Sequence, residues 1–222
     1  MTAALAFLFS GASATVLAAQ GSVSGRVSVQ ERAGETTNDF SSTVIYLIPQ
    51  DTASLKPKAM RSNITMSGRA FVPRVRVVTP GSRVDFPNQD PFSHNIFSSS
   101  TGATFDLGLY PAGKAKDAPF RRPGAYPIYC NIHPRMTAFV VVAPSPWFAQ
   151  VGNDGRWSIP DVPAGRYTLV VWHERANTVS APIEVAAIGL ADLTSTLDAR
   201  GFKLAQHKNK FGKEYDKTAV RY

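Results

Sequence analysis

One loop of the chain contains three side chains of the kind that bind soft metal ions. Cys130, the only cysteine, is followed by His133 and then by Met136. The surrounding segment 123–142, PGAYPIYCNIHPRMTAFVVV, predicts a β-strand on each side of this loop. Copper accepts a thiolate, an imidazole and a thioether, and blue-copper sites combine two histidines, one cysteine and a weakly bound methionine. The loop therefore offers three of the four ligands of such a site.

The fourth ligand has to come from another part of the chain, which contains only four histidines. They are His94, His133, His173 and His207. His94 lies in DPFSHNIFSSS, directly after VRVVTPGSRVDFPNQD, which predicts a strand, a Pro-Gly turn, a second strand and another turn. We therefore predict His94 as the fourth ligand. The set would tie an upstream loop to the later hairpin and close one end of a β-sandwich.

Two other interpretations of these residues stay open. A lone cysteine such as Cys130 is most often a small buried hydrophobe, and Met136 beside Ala-Phe-Val has the character of a core residue. A cysteine with a histidine three residues later, as at His133, is also compatible with a catalytic thiol pair. Each interpretation explains part of the pattern. Metal ligation explains all three side chains together with the second histidine, so we favour copper.

The same residues resemble a known family. Cys-x-x-His-x-x-Met after Gly-x-Tyr, with an upstream His-Asn pair, resembles the type 1 copper site of the cupredoxins, and the compact ligand loop is most similar to that of the amicyanins. The resemblance covers roughly residues 58–143. It implies a cupredoxin Greek-key β-sandwich with one type 1 copper ion. It also implies that Asn95 joins the two ligand loops by hydrogen bonding, and that His133 passes electrons through an apolar surface that includes Phe92 and Pro134.

A second β-rich segment follows the ligand loop, at residues 145–185. It contains the hairpin signal Asn153-Asp154-Gly155, then a short strand, a turn and a longer strand. Its pattern Asp-Gly-x-Trp-x-Ile-x-x-Val-Pro-Ala-Gly-x-Tyr-x-Leu resembles the carboxypeptidase-regulatory-like β-sandwich. In that family the pattern is preceded by a Gly-x-Val-x-Gly-x-Val strand, which here lies at residues 21–27.

We therefore predict an all-β chain of two small sandwiches, with the copper domain inserted into the other one. Because the two halves of the outer sandwich would flank the insertion, both ends of the copper domain would join one surface. The predicted segments are a signal peptide at 1–19, the discontinuous carboxypeptidase-regulatory-like sandwich at 21–56 and 145–187, the cupredoxin domain at 57–144, and a basic C-terminal tail at 188–222.

The N-terminal sequence predicts export. MTAALAFLFSGASATVLAAQ is apolar, uncharged and rich in small residues, which is typical of a secretory signal, although the usual leading Lys or Arg is missing. We expect cleavage near Ala18 or Ala19, with an uncleaved anchor as the alternative. No later stretch is apolar for long enough to span a bilayer. The mature chain is thus expected to be periplasmic or otherwise exported, where metal ligation explains the unpaired Cys130.

Two features outside the ligand set have structural explanations. His173 and Glu174 follow a predicted strand and are compatible with a second metal pair, but a histidine at a strand end beside a tryptophan is more often a packed or capping group. Trp157 and Trp172 are predicted to fill the core between sheets, as large aromatic side chains do.

The C-terminal sequence is less decisive. The spacing of Leu190, Leu193 and Leu197 permits one or two helical turns and is equally compatible with a final strand. From Arg200 onwards the tail has seven basic residues against two acids, and such blocks are usually solvated and partly disordered. A docking role for the tail is the alternative, and His207 is expected to be exposed.

The positive charge of the chain is concentrated in the predicted copper domain. The formal net charge is +8, and residues 58–143 hold eleven basic and four acidic side chains. A basic surface near a redox centre would steer an acidic partner towards it. We therefore expect a redox protein partner with an acidic docking surface. Nucleic acid is the generic partner of a basic chain, but an exported copper fold without an aromatic-basic motif argues against it.

The predicted ligand set favours a carrier of electrons over an enzyme. His94, Cys130, His133 and Met136 would leave no coordination position open for a substrate. A multicopper oxidase or copper nitrite reductase needs further histidine clusters, and a binuclear copper centre needs two cysteines. We predict transfer of single electrons between periplasmic partners, and the similarity to chains labelled methylamine-utilisation-like suggests a dehydrogenase or a cytochrome. The alternatives are a copper-handling protein that buffers or delivers the ion, or a non-redox scaffold.

Overall fold

The structure is a computed structural model that describes residues 20–33, 40–51, 57–203 and 206–215. The predicted signal peptide at 1–19 lies outside these residues. Within them the chain forms seventeen strands and no helix, so the predicted all-β fold class is confirmed. Accordingly, the described residues include no apolar helix of the length that a bilayer requires.

The strands are numbered in chain order. They are β1 (Gln20–Gln30), β2 (Thr43–Pro49), β3 (Arg61–Asn63), β4 (Thr65–Ser67), β5 (Ala70–Val72), β6 (Val75–Val78), β7 (Ser82–Pro87), β8 (His94–Ser98), β9 (Phe105–Tyr110), β10 (Ala115–Phe120), β11 (Gly124–Cys130), β12 (Thr137–Val142), β13 (Phe148–Gln150), β14 (Arg156–Pro163), β15 (Gly165–His173), β16 (Ala176–Val185) and β17 (Gly189–Asp198).

Strands β3 to β12, which we call the central region, form two main sheets. The larger has the order β6-β12-β11-β8-β9 and the smaller the order β10-β7-β3, while β4 and β5 form a two-stranded ribbon. Most pairs are antiparallel, but β12 pairs in parallel with β6, and β7 pairs in parallel with β3. In the larger sheet β11 and β8 are neighbours. Strand β11 ends at the predicted ligand Cys130, and β8 begins at the predicted ligand His94.

Alternation of apolar and polar residues builds the core of the central region. In β7, Val84 and Phe86 are buried, whereas Arg83 before them is exposed and Asp85 between them is half-buried, because successive side chains of a strand point to opposite faces. Val84 and Phe86 pack in one cluster with Ile128 of the other sheet. Cys130 belongs to the same cluster, so the thiol lies at the edge of the core and not in a surface loop.

The remaining strands, β1, β2 and β13 to β17, form what we call the flanking region. One sheet has the order β14-β1-β17 and the other the order β13-β2-β15-β16. Their inward side chains, Trp157 among them, form a second apolar cluster. The sequence segments before and after the central region therefore pair directly, since β1 pairs with β14 and β2 pairs with β15.

The turn before β14 requires glycine. Gly155 has a φ of 78°, a backbone conformation that residues with a Cβ atom adopt rarely. A Cβ atom at this position would also lie 2.6 Å from the carbonyl oxygen of Val27 in β1. Any larger residue here would push β14 away from its neighbour, so the Asp-Gly pair in the sequence is explained by close contact as well as by the turn.

The three leucines near the C-terminus lie in a strand and not in helical turns. Strand β17 pairs in parallel with β1, with Leu193 opposite Gly25 and Leu197 opposite Val29. Leu197 is completely buried, while Leu190 and Leu193 pack at the margin of the flanking core. Strand β17 lies at the edge of this sheet, next to β1. The flanking region therefore extends beyond residue 187, where the sequence predicted the outer sandwich to end.

The two regions are joined by an apolar contact and an ion pair. Val44 of β2 packs in one cluster with Val75 and Val141 of the central region. Glu174, after β15, forms an ion pair of 2.7 Å with Arg74, which precedes β6. His173 beside it is 1% exposed and is thus a packed residue at the end of β15, whereas Glu174 makes the contact between the regions.

Candidate metal centre

Two neighbouring strands position the predicted ligands. Cys130 is the last residue of β11, and its register partner on the antiparallel strand β8 is Ile96. His94 is the first residue of β8, so both side chains lie at the same end of the sheet. The backbone N–H of Asn131 donates to the carbonyl oxygen of Asn95 at 2.8 Å. This bond extends the strand pairing into the ligand loop and fixes the two segments to each other.

The ligand loop closes on itself between β11 and β12. The N–H of Met136 donates to the carbonyl oxygen of His133 at 3.0 Å, and the N–H of Cys130 donates to the carbonyl oxygen of Met136 at 3.2 Å. These bonds return the chain to the sheet within six residues. Met136 is 2% exposed and packs in the same core cluster as Cys130, whereas His133 is half-buried.

Three of the predicted ligands converge in the structure. The Nδ1 atoms of His94 and His133 each lie 3.5 Å from Sγ of Cys130, and all three ligand atoms lie within 4.8 Å of one another. An ion about 2.3 Å from a sulfur and about 2.0 Å from a nitrogen, at a tetrahedral angle, separates these two atoms by about 3.5 Å. The observed separations thus fit a shared first-row metal ion. Among the described residues this is the one such cluster of His, Cys, Asp and Glu side chains.

Aromatic packing covers the two imidazoles. The ring of Phe92 lies 5.3 Å from that of His94 and 5.7 Å from that of His133, and the two imidazole rings are 4.9 Å apart. The guanidinium of Arg69 lies over the outer face of Phe92, 5.2 Å from the ring centre. Pro134, predicted as part of an apolar surface, is buried in the loop. Of His94, Cys130 and His133, only His133 is half-buried, so it lies nearest to solvent.

The protonation of the cluster suits metal binding. Burial, together with repulsion by the neighbouring His94 and Arg69 in their charged forms, lowers the pKa of His133 to about 4. Burial also lowers the pKa of His94, although Asp90 opposes the shift. Both imidazoles are neutral at neutral pH, as ligation requires. Burial raises the pKa of the Cys130 thiol above its ordinary value, so an incoming ion has to displace one proton.

Asp90 supports His94 and was not anticipated from the sequence. Its carboxylate lies 2.8 Å from Nε2 of His94 and accepts hydrogen bonds from the N–H groups of Gly68 and Arg69 at 2.6 and 3.0 Å. Burial raises the pKa of Asp90, but these hydrogen bonds outweigh it and the pKa lies below the usual value. An ionised carboxylate only accepts, so Nε2 of His94 carries the hydrogen and Nδ1 is left as the ligand atom.

Asn95 joins the two ligand segments through its backbone. Its carbonyl oxygen accepts from Asn131, while its side-chain amide donates to Asp106 on β9 at 2.6 Å. The resemblance implied a hydrogen bond between the loops from Asn95. The structure has that bond, made by the main chain, and the side chain connects instead to the strand on the other side.

Several of the C-terminal residues 206–215 contact the end of the central region that holds the His-Cys-His cluster, while residues 206, 208 and 211–214 are exposed. His207 was expected to be exposed, but it is half-buried and stacks on Tyr129 with the ring centres 4.4 Å apart. The Nζ atom of Lys210 lies 2.6 Å from a carboxylate oxygen of Asp106. Charge composition alone did not predict this contact, because it depends on partners about eighty to a hundred residues earlier.

No family model matches the sequence, and no curated protein matches it significantly. Several solved structures resemble parts of it. A purple cupredoxin of Nitrosopumilus maritimus is 22% identical over 37% of this chain and 99% of its own, with a TM-score of 0.34. Amicyanin of Paracoccus versutus is 17% identical over 48% of this chain and 93% of its own, with a TM-score of 0.34. A copper-containing nitrite reductase of Thermus scotoductus is 26% identical over 42% of this chain and 25% of its own, with a TM-score of 0.35.

Proposed function

We propose that this chain is an exported type 1 copper protein that transfers single electrons between redox partners. The observation that carries the proposal is the convergence of one thiol and two imidazole nitrogens, His94, Cys130 and His133, within 4.8 Å. Copper would supply a one-electron couple, and its axial ligand and surroundings would tune the potential.

Met136 is proposed as the fourth, weak ligand. Its backbone is hydrogen-bonded to the backbones of Cys130 and His133, and its side chain is buried in the same cluster as Cys130. A thioether is a soft ligand that suits copper better than zinc or a hard cation. A set of two histidines, one cysteine and one methionine is therefore more consistent with copper than with a structural zinc site.

The surroundings favour a carrier over an enzyme. His94, Cys130 and Met136 are buried, and Phe92 packs on both imidazoles, so the centre is shielded from solvent except at the half-buried His133. Asp90 holds His94 in the tautomer that ligation requires. Rigid, water-excluding surroundings of this kind limit rearrangement when the charge at the centre changes.

The edge at His133 is the proposed site of electron exchange. His133 is the half-buried member of the cluster, and the side chains of Arg69 and Arg135 beside it are exposed. Positive charge at this edge would accelerate encounters with an acidic redox protein, and the acceleration would fall with ionic strength. Export is proposed from the N-terminal signal-like sequence.

The domain division is proposed as two sandwiches, with the copper domain inserted between the halves of a carboxypeptidase-regulatory-like domain. Two separate apolar clusters support it, as does the direct pairing of β1 and β2 with strands that follow the central region. Strand β17 would belong to the outer sandwich, because its partner in the sheet is β1.

The proposal is tested by loading the purified protein with one equivalent of copper. We expect an intense visible absorption from the thiolate-copper bond and a reversible one-electron wave in voltammetry. Cys130→Ser should lose both, while its circular dichroism remains that of an all-β protein. A colourless oxidised wild-type protein would contradict the proposal. A coloured protein that releases its copper readily and gives no reversible wave would instead indicate a copper-handling function.

A further inference from the structure

The residues 206–215, which we call the C-terminal segment, have a defined shape where they meet the ligand loop. Asn209 closes a tight turn, because its side-chain oxygen accepts from the N–H groups of Phe211 and Lys213 at 3.0 Å each. Its own N–H donates to the carbonyl oxygen of Lys213 at 2.8 Å. The turn fixes the direction of Lys210, which lies inside it.

Lys210 completes a closed ring of hydrogen bonds around the ligand-bearing strands. Its backbone N–H donates to the side-chain oxygen of Asn131 at 2.9 Å, and its Nζ donates to Asp106 at 2.6 Å. Asp106 accepts from the Asn95 side chain, and the Asn95 carbonyl oxygen accepts from Asn131. Asn95 directly follows the ligand His94, and Asn131 directly follows Cys130. The ring therefore ties together the backbones that carry the buried ligands.

A second contact reaches Cys130 itself. The hydroxyl of Tyr215 donates to the carbonyl oxygen of Cys130 at 3.0 Å. The ring of His207 stacks on Tyr129 and meets the ring of Tyr215 edge-on, with the centres 5.4 Å apart. The segment thus packs against the end of β11 that carries Cys130.

We propose that Lys210 and Tyr215 are positioning residues of the metal centre, which hold Cys130 and the ligand loop in place from outside the copper-binding sandwich. The inference rests on the proposed function, because it concerns copper bound at His94, Cys130 and His133. Neither residue touches the ion. The Lys210 side chain acts through Asp106, which accepts from the side chain of Asn95 next to His94, and Tyr215 acts on the carbonyl oxygen of Cys130.

Two physical consequences follow from this arrangement. A ligand loop with fewer fixed contacts opens more often, so the ion escapes faster when the segment is released. Release also admits water beside Cys130, and water favours the more highly charged oxidised form, which lowers the reduction potential. A residue that served only to stabilise the fold would change the melting temperature without altering these two properties of the centre.

The experiment compares four variants of the full copper-loaded chain. Tyr215→Phe removes one hydroxyl, Lys210→Met removes the ion pair with Asp106, and Lys213→Met removes the same charge from an exposed neighbour as the control. Copper release to a chelator and the midpoint potential are measured for each. We expect Tyr215→Phe and Lys210→Met to weaken copper retention by about 10-fold or more, the range typical of groups that orient metal ligands, and to lower the potential. Lys210→Arg should restore both.

The outcomes separate this inference from the proposed function. Wild-type-like retention and potential in both Tyr215→Phe and Lys210→Met would overturn the positioning role while leaving copper binding intact. Equal changes in Lys213→Met would overturn it as well, because they would indicate a general charge effect. A wild-type protein that takes up no copper would overturn the proposed function, and with it this inference.

Discussion

The central and flanking regions are both built from β-sheets with apolar cores, but they bury polar groups differently. In the central region, Asn88, Asp90, His94 and Asn95 are all buried within one short stretch. In the flanking region the buried polar residues include Thr43 and His173 and are more scattered. Burying polar groups is costly unless they are hydrogen-bonded. A concentration of them at one end of a sandwich therefore indicates that this end serves a purpose other than stability.

Two buried histidines illustrate the difference. In His94, Nε2 lies 2.8 Å from the carboxylate of Asp90, and Nδ1 lies 3.5 Å from the thiol of Cys130. His173 accepts a hydrogen bond at Nδ1 from the N–H of Arg175 at 3.1 Å, and the adjacent Glu174 is engaged by Arg74. Residue type and burial are the same in both cases. The neighbouring side chains decide which histidine is available to a metal ion.

The largest expected effect is the loss of copper binding when His94 is replaced, with the replacement of His173 as the comparison. His94→Ala should abolish stoichiometric copper binding and the visible band, because it removes a ligand. His173→Ala should retain both, and should lower the free energy of unfolding by about 2 kcal/mol through lost packing and hydrogen bonding. Copper titration and denaturant unfolding measure the two outcomes. Loss of copper in His173→Ala would mean that the flanking region contributes to the metal site.

The second prediction concerns pH. Because the pKa of Cys130 is raised, the free thiol is protonated at and below neutral pH and has to lose that proton to bind copper. Because the pKa of His133 is lowered to about 4, this imidazole competes for a second proton only near pH 4. Copper affinity should therefore fall by about tenfold per pH unit from pH 7 to pH 5. Chelator competition at pH 5, 6 and 7 measures the slope, and a fall of about a hundredfold per unit would show that one of the two imidazoles also takes up a proton in this range.

A smaller effect is expected from the carboxylate that supports His94. Asp90→Asn keeps the shape but can present an amide N–H to Nε2, so the tautomer needed for ligation is no longer favoured. We expect copper affinity to fall by about 10- to 100-fold. Asp117→Asn is the matched control, since Asp117 pairs with Arg83 on the surface of the smaller sheet and should leave the affinity unchanged. An unaltered copper affinity in Asp90→Asn would mean that Asp90 does not support the metal site.

The smallest effect is expected at the contact between the regions. Glu174→Gln weakens the ion pair with Arg74, whose guanidinium is still partly solvated. The free energy of unfolding should fall by about 1 kcal/mol, with the spectrum and the potential unchanged. Thermal unfolding of the copper-loaded protein and voltammetry test this. A changed potential would show that the flanking region influences the centre, through the bond from Arg74 to the carbonyl oxygen of Thr137 beside Met136.

Local patterns predicted much of the architecture. Alternating apolar residues predicted strands such as β7, and Asp154-Gly155 predicted the turn before β14, because both signals depend on backbone geometry within a few residues. The spacing of Leu190, Leu193 and Leu197 did not decide between helix and strand. The partner of β17 is β1, about 170 residues earlier, and short-range periodicity contains no information about such a pairing.

The sequence by itself determined the all-β class and identified side chains with the chemistry of a soft-metal site, since residue types and local spacing are enough for both. Only the tertiary structure decided how these side chains are supported. It paired Asp90 with His94, assigned the hydrogen bond between the ligand segments to the backbone of Asn95, and brought Lys210 and Tyr215 against the ligand strand. Each of these contacts joins groups through space, at distances that the folded sheets define and that separation along the chain does not predict.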